Sequence, residues 1–231
     1  MSLKTDLEEY ARKVLADQWT TRAGQNVPTT EDIKLANDAV QLDATVLYAD
    51  LEDSTRLVQG RKDSFAAEVY KMYLYSASRI ITTLGGSVTA FDGDRVMGVF
   101  LGDAKNSNAA KCGLKINYIV TKIIRPAIKA QYPNETYILK QKVGIDSSPL
   151  FVARTGIRGS NDLVWVGRAA NYAAKMATLS SNYPTYISAD VYSRLNADAK
   201  YGKTSQANMW KDLGTSAVGF RIYGSTYWWG I

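Results

Sequence analysis

Hydrophobic and polar positions change their spacing several times along the chain, and each change marks a predicted element. Between residues 3 and about 19, apolar residues recur at helical spacing and predict an amphipathic N-terminal helix. A polar linker is expected over residues 20–28. Thr29, followed by Glu31 and Asp32, then predicts the N-cap of a short helix that runs through Val40.

The next apolar runs predict a compact domain that begins near residue 42. Val46, Leu47 and Tyr48 form a buried strand that ends on Asp50. A long helix is expected over residues 64–84, closed by two glycines. Two strand-like runs then flank an Asp-Gly pair, which predicts a tight hairpin with Asp94 at its tip.

The remaining pattern completes a βαββαβ order. A helix over residues 104–131 is interrupted near Pro126. The segments predicted after it are strands at 140–146, 149–154 and 162–166, a helix at 169–179, a strand at 185–188, a helical turn at 189–195, and closing strands at 207–213 and 217–228. We therefore predict an α+β, ferredoxin-like fold with added C-terminal strands and short N-terminal helices. Residues 1–41 are interpreted as a helical appendage and 42–231 as the main domain.

In the ferredoxin-like order the strand that ends at Asp50 and the hairpin that carries Asp94 are neighbours at the sheet centre. Their carboxylates should therefore converge, and two close carboxylates repel unless a cation lies between them. Oxygen ligands favour Mg²⁺ or Mn²⁺, with phosphate oxygens completing the shell. Two such ions can activate a hydroxyl and neutralise a leaving pyrophosphate. The alternative is that Asp50 caps a helix and Asp94 only occupies a turn.

Composition narrows the chemistry further. The chain has 231 residues, 46% of them apolar, and a dispersed net charge of +6, which is typical of a globular protein without a nucleic-acid-binding tail. The absence of histidine excludes His bases, His triads and His metal sites. A single cysteine, Cys112, and the lack of an apolar run near 20 residues predict a cytoplasmic protein without a membrane span.

Four segments together resemble bacterial class III nucleotidyl cyclases. They are A-D-L-E-D-S-T-R-L at 49–57, F-D-G-D-R-V-M-G-V-F at 91–100, V-G-I-D at 143–146 and G-R-A-A-N-Y-A-A-K at 167–175. The match runs in order from about residue 42 to 228. Each motif alone is weak, whereas the four at compatible spacing are specific.

The resemblance implies a role for particular residues. Asp50 and Asp94 would hold two Mg²⁺ or Mn²⁺ ions, with the Leu51 carbonyl as a further ligand. Asn171 would orient the ribose, and Lys175 would neutralise charge on the phosphate where the family usually has arginine. The residues implied for phosphate contacts are Asp53, Ser54 and Thr55 in the turn after the strand, Arg158, and more weakly Lys203 and Lys211. The family also implies a head-to-tail homodimer, held in part by the N-terminal helices, in which each active site uses the acids of one subunit and the Asn171 helix of the other.

The base pocket departs from the purine cyclases. Ala90 and Val164 stand where adenylate and guanylate cyclases carry polar purine readers, and Tyr48, on the face of Asp50, replaces a common phenylalanine. Arg95 could reach a base carbonyl or a neighbouring acid.

These features resemble the pyrimidine cyclases of the Pycsar antiphage systems. The resemblance implies conversion of UTP to cyclic UMP and pyrophosphate, with a separate effector that reads the product. Three alternatives stay open: CTP as substrate, ATP as substrate, and a catalytically inactive nucleotide-binding module. A diguanylate cyclase or polymerase palm is disfavoured because the chain lacks the G-G-[DE]-E-F signature.

Overall fold

The computed structural model describes residues 2–180, 182–203, 206–215 and 217–231. The helices are α1 (Leu3–Ala16), α2 (Ser54–Gly60), α3 (Asp63–Thr83), α4 (Lys105–Ile119), α5 (Arg125–Gln131), α6 (Arg168–Ala177), α7 (Ala189–Ser193) and α8 (Ala197–Lys200). The strands are β1 (Thr20–Ala23), β2 (Asp38–Leu51), β3 (Gly86–Asp92), β4 (Arg95–Phe100), β5 (Gln141–Ile157), β6 (Ser160–Val166), β7 (Thr185–Ser188), β8 (Lys211–Gly214) and β9 (Ile222–Ser225). Among the described residues, no helix is both long enough and apolar enough to cross a bilayer.

The chain divides into two compact units. The larger one comprises Ala44–Ser148 and Arg168–Ile231. Its strands lie in the order β3-β4-β2-β5-β7-β9-β8, with β2 antiparallel to β4, and β5 parallel to β7. Helices α2 and α3 lie between β2 and β3 in the chain, and α4 and α5 between β4 and β5. The predicted α+β, βαββαβ fold is therefore confirmed.

The hydrophobic core of the larger unit lies under α3 and α4. Strand residues such as Leu47 and Ile145 pack there with helix residues such as Val69, Ile81 and Leu114. Helix α6 packs on the other side of β5, because a Cβ atom added to Gly144 would lie 2.1 Å from the Ala173 carbonyl oxygen. Residue 144 must therefore be a glycine for the helix to approach the strand this closely.

The smaller unit comprises the residues up to Asp43 together with Pro149–Gly167. Within it, β1 pairs in parallel with the start of β2, and β6 pairs antiparallel with the end of β5. The Arg22 guanidinium donates to the buried Asp38 carboxylate at 2.7 Å and so ties the first pair together. The domain boundary predicted near residue 42 stays a prediction.

Two expectations for the N-terminal region were wrong. The expected linker at 20–28 contains β1, and the helix expected over 29–40 is only a 3₁₀ turn at Thr30–Asp32. Asp32 accepts a hydrogen bond from the Thr29 backbone N–H at 2.8 Å, so the predicted cap is present. Ala39 and Val40 then continue into β2 because both are buried in the extended conformation.

Two strands and a tight connection were expected at 140–154, where the structure has the single strand β5. Ser147 lies in the expected connection, where its buried hydroxyl donates to the Ala44 carbonyl at 3.2 Å. The closing strands are also shorter than predicted, because pairing is confined to β8 and β9. Pro126 does interrupt the long helix, which passes through a π-helical segment, Val120–Ile124, before α5.

Candidate active site

The candidate active site begins where β2 ends. Alternation along the strand sends Leu47, Ala49 and Leu51 into the core under the helices. Tyr48 and Asp50 therefore lie on the opposite face of the sheet. Asp50 is 8% exposed, and its backbone carbonyl accepts a hydrogen bond from the buried Tyr73 hydroxyl at 3.3 Å.

The hairpin between β3 and β4 brings Asp94 to the same place. Gly93 has φ of 60°, a left-handed conformation that favours glycine in this two-residue turn. Across the three strands Ala90 pairs with Met97, and Met97 pairs with Tyr48. Ala90 and Tyr48 therefore lie in one row on one face of the sheet, and the turn residues follow at the strand ends.

Asp50 and Asp94 interact, as the fold predicted. The pKa of Asp50 is raised to about 6: burial is the main cause, the Arg95 guanidinium opposes the rise, and the nearby Asp94 carboxylate adds to it. Arg95 Nε lies 3.4 Å from Asp50 Oδ2. The neighbouring acid is thus one contact of the Arg95 side chain, and a contact with the base stays a prediction. Oδ2 of Asp94 is buried and has no hydrogen-bond partner within the described residues.

The donor set fits a divalent cation with few protein ligands. Among the described residues there is no group of three His, Cys, Asp or Glu side chains that could hold a metal. A metal would therefore be held by two carboxylates and a carbonyl, and ligand oxygens would have to complete its shell. The unpaired Oδ2 of Asp94 is the atom that a cation would satisfy.

Three tyrosines next to the acids were not foreseen from the sequence. Burial raises the pKa of Tyr70, and so do Asp94 and Asp50, while its hydroxyl bonds to Ser54. Burial also raises the pKa of Tyr137 to about 12, with Asp53 and Asp94 among the other causes. Tyr70 and Tyr73 are three residues apart on α3, which places them on one face of that helix. That spacing was the available signal.

The turn after β2 leads directly into α2. Asp53 adopts a left-handed conformation with φ of 59°, and Ser54 begins the helix. The N–H groups of Ser54 and Thr55 lie in the first turn and have no acceptor within the helix. A cavity of about 290 Å³ adjoins this turn and is lined by Asp53, Arg56 and Lys140, among others.

Helix α6 presents Asn171 and Lys175 at an exposed surface. The Lys175 ammonium donates to the Val218 carbonyl at 3.1 Å. Within the described part of the chain, no hydrogen bond or ion pair joins either residue to Asp50 or Asp94. The helix is anchored by Arg168, whose Nε lies 3.1 Å from Oδ2 of the fully buried Asp146.

The other predicted contacts lie elsewhere. Arg158, in the turn after β5, and Val164, on β6, belong to the smaller unit. Lys211 is exposed on β8, and the Lys203 ammonium lies 5.2 Å from the centroid of the Trp229 ring. The roles assigned to all these side chains stay predictions.

Curated relatives match the chain along its whole length. It is 47% identical to a uridylate cyclase from Xanthomonas perforans and 46% identical to one from Burkholderia cepacia, each over 100% of both chains. A uridylate cyclase from Rhodovulum is 39% identical over 99% of this chain and 98% of its own. The chain belongs to the uridylate cyclase family. It is accordingly a nucleotidyl cyclase, although no protein-family model matches it.

Solved structures agree on the fold of this uridylate cyclase family member. A bacterial light-regulated adenylyl cyclase superposes with a TM-score of 0.70 at 22% identity, covering 83% of this chain and 54% of the other. The adenylyl cyclase CyaB from P. aeruginosa superposes with a TM-score of 0.68 at 23% identity, covering 81% and 95%. The catalytic domain of the class III cyclases is therefore the fold of this protein.

Proposed function

We propose that this protein is a metal-dependent uridylate cyclase that converts UTP to 3′,5′-cyclic UMP and pyrophosphate. The observation that carries the proposal is the buried Asp50 carboxylate, which faces Asp94 on the side of the sheet opposite the helices. The full-length relatives named uridylate cyclase support UTP as the nucleotide. We extend the resemblance to the Pycsar systems into the proposal that the product is a messenger read by a separate effector during antiphage defence.

Asp50 and Asp94 would hold two Mg²⁺ or Mn²⁺ ions, with the Leu51 carbonyl as a further ligand. When bound, such ions lower the pKa of the ribose 3′-hydroxyl and neutralise charge on the phosphates. The turn formed by Asp53, Ser54 and Thr55 would bind the phosphate chain through backbone N–H groups at the first turn of α2. The remaining work of the protein is to align the 3′-hydroxyl with the α-phosphate while pyrophosphate leaves on the opposite side.

Tyr48 and Arg95 are proposed to select the base. Burial raises the pKa of Tyr48, and the nearby Arg95 guanidinium partly offsets that rise. Both side chains can donate hydrogen bonds, and uracil offers carbonyl oxygens that accept them. Ala90, in the same row as Tyr48, contributes no polar group, so a purine edge would be left unpaired there.

A shared active site completes the proposal. Asn171 and Lys175 lie on α6 and, among the described residues, form no hydrogen bond or ion pair with the acids of their own chain. A head-to-tail homodimer would bring them to the acids of a second subunit and would form two sites.

The direct test is incubation of the purified protein with UTP, CTP, ATP or GTP and Mn²⁺, followed by mass spectrometry of the products. Cyclic UMP should dominate. Dominant cyclic CMP or cyclic AMP would reassign the substrate, and the absence of any cyclic product would favour a binding module. Tyr48→Phe should lower kcat/KM for UTP by about tenfold relative to ATP, because one donor to the base is lost.

A further inference from the structure

A cavity of about 420 Å³ lies among α4, the π-helical segment, the start of β5 and the C-terminal segment. None of the residues proposed above for metal, phosphate or base contacts lines it, although Lys140 also lines the smaller cavity beside Asp53. Within the described part of the chain, four basic side chains, Lys122, Arg125, Lys140 and Lys142, line it together with one carboxylate, Glu52. The volume is in the range of small-ligand pockets, and the lining carries a clear excess of positive charge. We call this cavity the Gln141 pocket.

Gln141 is the unusual member of the lining. It is 3% exposed, and neither its amide nitrogen nor its amide oxygen has a hydrogen-bond partner within the described residues. Along β5 it has the same parity as Val143, which faces Gly113 of α4. The Gln141 side chain is therefore directed at the helical layer. Buried amides are nearly always paired, so an unpaired one that lines a cavity indicates a missing partner.

The basic side chains are held in place by the protein. Lys142 is 5% exposed, donates to the Tyr183 carbonyl at 3.3 Å and lies 3.5 Å from Glu52. The Arg125 Nε donates to the Leu139 carbonyl at 2.7 Å. Its terminal nitrogens make no hydrogen bond among the described residues. Positive charge is thus fixed around the pocket before any ligand arrives, which lowers the cost of binding an anion.

The outer wall is also ordered. Asn117 donates to the Tyr227 carbonyl at 2.9 Å and so holds the C-terminal segment against α4. The Lys122 ammonium lies 5.1 Å from the centroid of the Trp228 ring. A cation over an indole face is attracted by the ring and is oriented by it.

The π-helical segment shapes this wall. The Arg125 N–H bonds to the Val120 carbonyl five residues earlier, just before Pro126, which has no N–H to offer. The widened turn carries Thr121 and Lys122, and Arg125 follows it; all three residues line the pocket. π-helical turns occur frequently at functional sites.

We propose that the Gln141 pocket binds a polyphosphate anion, either free pyrophosphate or the phosphate chain of a nucleotide. The lining offers three more basic groups than acidic ones, together with an amide that can donate to a phosphate oxygen. Because these charges belong to the chain itself, binding needs no divalent cation. This separates the pocket from the proposed active site, where two acids repel phosphate unless a metal is present.

The test is isothermal titration of the whole protein in EDTA with inorganic pyrophosphate and, separately, with UTP. We expect saturable binding of at least one of them at about one site per chain. Gln141→Leu and Lys122→Ala should each weaken it by about tenfold, because each loses a contact with a charged ligand. Gln141→Leu should keep the melting temperature of the unliganded protein or raise it, since it removes an unpaired buried amide. Pyrophosphate binding alone identifies the free anion as the ligand, and UTP binding alone identifies the nucleotide.

Two controls locate the binding. Lys4→Ala removes one positive charge from the exposed face of α1 and should leave the affinity unchanged. Arg56→Ala alters the neighbouring cavity beside Asp53 and should also leave it unchanged. If neither ligand binds in EDTA, or if both pocket variants bind with the wild-type affinity, the proposal is wrong.

Discussion

Nε of Arg95 lies 3.4 Å from Oδ2 of Asp50. Arg95 directly follows Asp94 in the chain, yet its guanidinium forms an ion pair with the other acid of the site. Burial raises the pKa of Tyr48, which lies on the same strand face as Asp50, and the same guanidinium partly offsets that rise. Arg95 therefore links the proposed metal end of the site to its proposed base end.

Replacing Arg95 by leucine should tighten Mn²⁺ binding while it impairs turnover of UTP. The guanidinium and the metal compete for the Asp50 carboxylate, and its loss should raise the affinity for Mn²⁺ by roughly threefold or more. Electron paramagnetic resonance of free Mn²⁺ measures this affinity without reference to activity. Arg79→Leu, on the exposed side of α3, is the matched control. An unchanged or weaker Mn²⁺ affinity in Arg95→Leu would contradict the assignment of Asp50 as a ligand.

Two inactive variants should restore activity when they are mixed. Asp50→Asn and Asn171→Ala should each lower product formation by about 10²-fold or more, because each removes a group that acts on the transition state. Random exchange of subunits gives half heterodimers, each with one intact site, so about a quarter of the wild-type activity should return. Asp103→Asn, an exposed acid before α4, should remain fully active. If equimolar mixtures that have exchanged subunits stay inactive, each site uses residues of one chain only.

Arg168→Ala should destabilise the fold because the buried Asp146 carboxylate loses its ion-pair partner. Asp146 is 0% exposed, and Arg168 also donates to the Ser147 carbonyl at 2.8 Å. Without the guanidinium the buried charge of Asp146 is uncompensated, which should lower the free energy of unfolding by about 2 kcal/mol. Urea denaturation measures the cost. Arg221→Ala breaks the exposed pair with Asp212 and should leave the midpoint nearly unchanged. Equal effects of the two substitutions would show that the Asp146 pair contributes no more than a surface pair.

Cys112 should make the protein less stable as the pH rises above about 9. Burial raises the pKa of its thiol far above the ordinary value. The unfolded chain therefore releases this proton at a pH where the folded chain keeps it, and unfolding becomes more favourable as pH increases. Between pH 8 and 9.5, wild type should lose about 1 kcal/mol more than Cys112→Ala in urea denaturation. The same loss in both proteins would show that the thiol does not contribute.

The local elements that could be read from the sequence are those with a strong repeating pattern. The amphipathic run of α3 and the Asp-Gly hairpin predicted their own structures, because both signals arise from neighbouring residues. The prediction of a linker at 20–28 was wrong because β1 forms only by pairing with β2. A polar strand of four residues has no local signal that distinguishes it from a loop.

The sequence by itself determined the fold order and the two acids, because hydrophobic period and motif spacing are properties of the chain alone. It also identified Tyr48 as a departure from the purine cyclases and Arg95 as a side chain able to reach a base carbonyl or a neighbouring acid. Only the tertiary structure decided that Arg95 contacts Asp50 and that Tyr70, Tyr73 and Tyr137 lie near the acids. These contacts join residues that are distant in sequence, and burial and charge act through space.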